Sequence, residues 1–223
     1  MATETGTRIN DGGAGLPPLR DEGETTMVVP KIVGGSLYEL PTGLPIPEDD
    51  GAANHLVGLR LPDSVSLVST ASATSPVTLA TLPGWTVVYC YPRTGFPGVN
   101  VPDGWNEIPG ARGCTPQTCA FRDHHRELQS LGALVFGLSS QTTDYQSELS
   151  SRLHLPFGIL SDHEFALTNA LGLPTFDFNG TRLVKRLTLI IRDGVIHHVH
   201  YPVFPSDADA GRVIAWLQTH TRA

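Results

Sequence analysis

Trp85-Thr86-Val87-Val88-Tyr89-Cys90-Tyr91 is a nearly continuous run of apolar, β-branched and aromatic residues, and such a run reads as a strand. Its continuity predicts burial on both faces, as in the centre of a layered sheet. Residues Thr94 to Gly113 follow as a loop studded with Gly and Pro that no regular element tolerates. A loop of this length inside a domain is usually functional or mobile.

Beyond the loop, Thr115 offers an N-cap and Pro116 a first helical residue. They open a helix to about Leu131 in which Phe121, His125, Leu128 and Leu131 share a face, and Gly132 ends it. A strand at Ala133 to Leu138, a helix from Thr142 to Leu153, a short strand around Phe157 to Leu160 and a helix near His163 to Leu171 come next. Two strands, Leu183 to Ile191 and Val195 to Tyr201, are joined by the hairpin signal Asp193-Gly194. The last helix follows Ser206, with Asp209 as the acidic partner of a capping box and Val213, Ile214 and Leu217 facing the core. Upstream, Leu59 to Val68 and Val77 to Leu82 suggest a short hairpin-like start. This alternation predicts an α/β three-layer sandwich around a central mixed sheet.

Residues 1–53 are rich in Gly, Pro, Thr and acidic residues and read as a largely disordered N-terminal extension to a domain at 54–223. Within it, Pro41 to Asp50 looks like an extended lead-in that lies against the domain. The formal charge is -7 with no basic run, which argues against nucleic acid and anionic lipid as partners. The longest apolar stretches fall far short of the roughly 20 residues of a membrane span. The polar start Met1 to Asp11 lacks the features of a signal or transit peptide, so a cytoplasmic location is expected.

Three cysteines, Cys90, Cys114 and Cys119, are too few for a disulfide framework. Cys114 and Cys119 stand where loop gives way to helix, and the positive end of a helix dipole favours thiolate over thiol. In an intact helix, residues five apart are separated by about 7.5 Å of rise and about 140° of rotation. A disulfide needs Cα atoms closer than about 7 Å. The sequence thus suggests that Cys114 is oxidised to a sulfenic acid, the first turn unwinds, and Cys119 attacks to close a bond.

From about Leu59 onward the chain resembles the peroxiredoxins, specifically the atypical two-cysteine Q-type, or bacterioferritin-comigratory, branch. The resemblance rests on Val87-Val88-Tyr89-Cys90-Tyr91-Pro92, on Gly113-Cys114-Thr115-Pro116-Gln117-Thr118-Cys119, and on Phe121-Arg122-Asp123. Val135-Phe136-Gly137-Leu138-Ser139, Leu160-Ser161-Asp162 and Lys185-Arg186-Leu187-Thr188-Leu189-Ile190-Ile191 extend it. It implies a thioredoxin-like fold and a peroxidase without bound cofactor. The substrate would be a hydroperoxide, the reductant thioredoxin or a similar dithiol carrier, and the protein a monomer or weak dimer.

By the same resemblance Cys114 is the peroxidatic cysteine, Cys119 the resolving one, Arg186 the group that holds thiolate and peroxide, and Pro92 the shield of the pocket. Arg112 or Arg93 would do work similar to that of Arg186. The family usually carries a hydroxyl residue three positions before the peroxidatic cysteine, where this chain has Ala111. Thr94 is the candidate to supply that hydroxyl, and the inserted loop Phe96 to Arg112 is expected to narrow the substrate range or fold over the pocket.

On spacing alone, two helical cysteines are more often packing thiols, and it is the flanking motif with Arg186 that favours redox chemistry. Cys90 reads as an inert core residue. His198 and His200, two apart on a strand with His197 on the other face, read as a solvated face rather than a metal site for want of an acidic or thiolate partner, and His124 and His125 match no zinc pattern. Two rival readings are a one-cysteine peroxidase recycled by glutathione and a redox-sensing module that turns over little.

Overall fold

Trp85–Cys90 is a strand with all six residues buried in the computed structural model, which describes residues 38–220. Its side chains leave toward two separate cores. Val88 and Cys90 join Leu138, Leu160, Leu187 and Leu189, whereas Val87 and Tyr89 join Phe121, Leu128, Leu149, Val213 and Leu217. A period of two with apolar residues on both sides leaves no face for water.

In chain order the elements are strands β1 (Leu67–Ser69), β2 (Ser72–Val77) and β3 (Trp85–Cys90), helices α1 (Cys114–Asp123) and α2 (His125–Ser130), strand β4 (Ala133–Ser139) and helix α3 (Thr143–Leu153). Then come β5 (Ile159–Ser161), α4 (Ala166–Leu171), β6 (Thr175–Phe178), β7 (Thr181–Val184), β8 (Leu187–Arg192), β9 (Val195–His200) and α5 (Asp209–His220). Seven strands form one mixed sheet in the order β2-β1-β5-β4-β3-β8-β9. β3 runs parallel to β4 and antiparallel to β8. α1, α3 and α5 pack on one face through Phe121, Leu149 and Val213, and α4 packs on the other through Leu167 and Leu171. The result is the expected thioredoxin-like three-layer α/β sandwich.

β6 and β7 form a separate hairpin, turned at Asn179-Gly180 with φ of 49° and 73°. Phe176, Phe178 and Leu183 of this hairpin pack with Trp105 and Ala111 of the long loop. A buried Trp is a large apolar anchor, so the loop is fastened over the sheet end where Cys114 lies.

Several local expectations need correction. The first helix starts at Cys114, capped by Gly113 at φ 108° rather than by Thr115, and one residue, His124, separates α1 from α2. Pro116 is therefore the third helical residue, where its missing N–H was an unpaired donor in any case. The expected strand 183–191 is two strands, and Arg186 sits in the break between β7 and β8. The opening hairpin is β1 with β2, while Leu79–Thr81 is a turn of 3-10 helix. Ser206 does not cap α5: its hydroxyl donates to the Gly113 carbonyl at 2.9 Å, and the Asp209 carboxylate turns into the core.

Residues 1–37, most of the stretch read as a disordered extension, lie outside the described residues. Residues 38–53 are described: Lys185 donates to Asp50 Oδ2 at 2.6 Å, Tyr201 donates to Asp50 Oδ1 at 2.7 Å, and Ala53 is buried in the core.

Candidate active site

Cys114 is the first residue of α1, only 4 % exposed, at the end of a loop that Gly113 turns in a left-handed conformation. Its sulfur accepts a hydrogen bond from Arg186 Nη2 at 3.1 Å, and as a thiol it donates to the Ala111 carbonyl at 3.6 Å. Arg186 is itself buried. Its Nε donates to the Gly110 carbonyl at 3.1 Å, its Nη2 also to the carbonyls of Ala111 and Arg112 at 3.0 and 3.3 Å, and its Nη1 to Gln117 Oε1. Three carbonyls and an amide oxygen are neutral, so the sulfur is the one acceptor of this buried guanidinium that can carry a negative charge. A buried cation without a counter-charge is costly. Arg186 lies in the break between β7 and β8, and the alternation of β8 puts it on the same side of the sheet as Thr188 and Ile190, the side on which Cys114 packs.

Sequence reasoning missed what stands behind Arg186. Gln117 is fully buried, and its Nε2 donates to Asp209 Oδ2 at 2.8 Å. Thr188 donates to the same oxygen at 2.6 Å, and Nδ1 of His200 donates to Asp209 Oδ1 at 3.1 Å. A hydrogen-bonded chain thus runs His200–Asp209–Gln117–Arg186–Cys114. The signal for Gln117 was its position three residues after Cys114 on one helix, which makes the two neighbours. Asp209 gave none, since an Asp opening an amphipathic helix looks like a cap. This also corrects the solvated face read for His198 and His200: His200 pairs with buried Asp209 and His198 stacks on Trp216, while His197 is exposed, edge-on to Trp85.

Cys114 borders a cavity of about 100 Å³ shared with Thr94, Arg93, Arg112 and the loop residues Val99 to Pro102 and Trp105. Thr94 is held there by Gln141, whose Oε1 accepts from its N–H and hydroxyl and whose Nε2 donates to its carbonyl, and by the Tyr145 hydroxyl. Pro92 and Arg186 border a neighbouring cavity of about 300 Å³ that Cys114 does not line.

Cys119 lies in the same unbroken α1, half-buried, and burial pushes its thiol up despite the opposing pull of Arg122. The Cys90 thiol, sealed in the sheet, is pushed far up by burial first and by Asp162 and Asp209 second. It has no route to a substrate. Among the described residues no group of three His, Cys, Asp or Glu side chains is arranged to hold a metal, and no helix is long and apolar enough to cross a membrane.

A cysteine at a helix start, held by a buried arginine over a small cavity on a thioredoxin-like sheet, defines a thiol-based redox protein. The Redoxin family model matches residues 56–214, and the chain belongs to that family. Peroxiredoxin Q, chloroplastic, of Oryza sativa subsp. japonica is 29% identical over 133 residues, 60% of this chain and 54% of the relative. The chain thus spans about half the length of that relative. Peroxiredoxin Q, chloroplastic, of Suaeda salsa is 25% identical over 214 residues, 96% of this chain and 81% of the relative. Among solved structures, peroxidoxin BcpB of Mycobacterium tuberculosis superposes with a TM-score of 0.59 at 24% identity, covering 73% of this chain and 96% of its own. Xanthomonas campestris peroxiredoxin Q gives 0.58 at 22%, covering 73% and 97%.

Proposed function

We propose that the protein is a thiol peroxidase that reduces hydroperoxides with Cys114 as nucleophile. The 3.1 Å contact between Arg186 Nη2 and Cys114 Sγ at a cavity wall is the observation that carries this reading. The thiolate attacks the terminal peroxide oxygen, an S–O bond forms as the O–O bond breaks, and the leaving alkoxide takes a proton to become alcohol. Sulfur is thereby oxidised by two electrons to sulfenic acid. Arg186 is a fixed fork, so it aligns sulfur and peroxide and stabilises charge passing to the leaving oxygen. Thr94 supplies the hydroxyl that orients the peroxide, and Pro92 shields the site beside Arg186.

Cys119 then attacks the sulfenic sulfur, a disulfide forms and water leaves. The geometry of an intact helix requires the first turn of α1 to open for this step. Opening it breaks the bonds that the Ser206 hydroxyl gives the Gly113 carbonyl and the Thr118 hydroxyl gives the Cys114 carbonyl. Thioredoxin or a similar dithiol restores the pair, in the reducing cytoplasm, on a monomer or weak dimer. A cycle with Cys114 alone and glutathione as reductant is the second reading, favoured by Cys119 being half-buried in an unbroken helix with its thiol pushed up.

Rapid-mixing measurements with peroxide on reduced protein test both. Cys114→Ser abolishes turnover, while Cys119→Ser still yields one sulfenic acid per chain. Full activity in Cys114→Ser would falsify the proposal. Non-reducing peptide maps of the oxidised wild type contain a Cys114–Cys119 link under the first reading and lack it under the second.

A further inference from the structure

We infer that the Cys114 cavity selects hydroperoxides that carry an anionic group, such as a carboxylate a few bonds from the peroxide, with Arg93 and Arg112 as its receptor. The inference rests on the peroxidase reading and names the substrate class for that site.

Two guanidinium side chains, those of Arg93 and Arg112, line the cavity wall with no Asp or Glu beside them, while Arg186 borders the neighbouring cavity. Elsewhere on the protein Arg122, Arg152 and Arg192 each face a carboxylate. Among the described residues Arg93 and Arg112 face none. Arg93 instead lies over the Trp105 ring, 5.9 Å from its centre, which holds it at the wall by a cation–π contact. Arg112 is partly buried, and burial weighs against its charge while the Cys114 sulfur weighs for it. Both therefore stand at a wall whose single anion, the Cys114 thiolate, is already shared with Arg186.

A cleft lined by one sign of charge concentrates ligands of the other sign. Guanidinium forks match a carboxylate in geometry as well as charge. The cavity is small, about 100 Å³, on the order of three water molecules in volume. Only the peroxide end needs to enter it, at Cys114, with a short charged arm lying outward along Arg93 and Arg112. The reaction is unchanged: thiolate attacks the terminal oxygen, and the product is the corresponding hydroxy acid.

The test compares tert-butyl hydroperoxide with its analogue in which one methyl bears a carboxylate, and with the methyl ester of that analogue. The second-order rate of Cys114 oxidation is read on the reduced full chain. At low salt the carboxylate analogue reacts about tenfold faster than tert-butyl hydroperoxide, the gain expected from one or two partly solvated charge-assisted bonds, and the ester shows no such advantage. The ratio collapses in Arg93→Gln/Arg112→Gln, largely survives in Arg93→Lys/Arg112→Lys, and shrinks for wild type at about 1 M salt, where the screening length is about 3 Å. A wild-type ratio near one, or a ratio that persists in the double Gln variant, overturns the inference and leaves the peroxidase standing. If none of the three peroxides oxidises Cys114, both fall.

Discussion

Gln117 Nε2 donates to Asp209 Oδ2 at 2.8 Å, and because a carboxylate only accepts, this bond fixes which end of the amide faces Arg186. Gln117 Oε1 is turned to the guanidinium, and Arg186 is held from behind while its other nitrogen reaches the sulfur. Asp209→Asn lets the amide at 117 flip, and Arg186 then meets an N–H instead of an acceptor. The expected outcome is about a tenfold slower oxidation of Cys114, the scale of losing one charge-assisted bond in part. Adding Gln117→Glu should restore the rate, since a carboxylate at 117 accepts both from the amide introduced at position 209 and from Arg186. A double variant no faster than Asp209→Asn would show that Asp209 acts through packing alone.

Arg186→Lys keeps the charge and loses the fork. Lysine has one ammonium to replace donors that now reach three carbonyls, an amide and the sulfur. It cannot satisfy the loop carbonyls and the sulfur at once. The rate of Cys114 oxidation should fall on the order of a hundredfold, with a melting temperature lowered by several degrees, because the buried Ala111 carbonyl and the part-buried carbonyls of Gly110 and Arg112 lose their donor. Rapid mixing and thermal melts on the same variant check the two effects separately.

The layers of this fold were legible from the Trp85 run because a strand buried on both faces cannot hide its composition. The hairpin β6–β7 was not. Thr175-Phe176-Asp177-Phe178 alternates and Asn179-Gly180 is a turn signal, yet the apolar run from Leu183 to Ile191 masks the break at Lys185-Arg186 and absorbs β7 into one long strand. In the candidate site, Cys114 was legible from its place at a helix start and Arg186 through family resemblance. Asp209 and His200 are brought to Gln117 by the pairing of β8 with β9 and the return of α5, long-range contacts that no local pattern records.

Gly113→Ala should cost more than an ordinary loop substitution. A Cβ there would lie 2.2 Å from Ser206 Oγ and 2.6 Å from Leu40 Cδ2, at a φ of +108° that side chains rarely adopt. Gly98 offers the control: its φ is +77° and nothing lies within 4 Å of a built Cβ. The expected losses are about 2–3 kcal/mol for Gly113→Ala and about 1 kcal/mol for Gly98→Ala, read by denaturant unfolding. Equal losses would mean that backbone strain, and not the contact with Ser206, sets the cost at the start of α1.

Acid should release the segment that carries Asp50 before it unfolds the domain. Lys185, Tyr201 and the Ala52 N–H all donate to the Asp50 carboxylate, the lysine bond being the strongest influence, and they hold its carboxyl well below the ordinary value of 3.8. Asp50 in turn raises Lys185 above its ordinary 10.5. A depressed carboxyl stabilises fully above its unfolded value and loses that effect as pH falls below it. A raised ammonium stabilises below its unfolded value and loses the effect as pH climbs through the raised one. The tie is therefore at full strength between 3.8 and 10.5. Both partners are more than a third solvent-exposed, so its worth is about 0.5–1 kcal/mol. Hydrogen exchange of residues 47–52 should be flat across that window and accelerate about two- to fivefold below it, after correction for intrinsic rates. Asp50→Asn should show the faster corrected exchange already at neutral pH and no further step on acidification; a step of the same size in that variant would assign the acid response to another carboxylate.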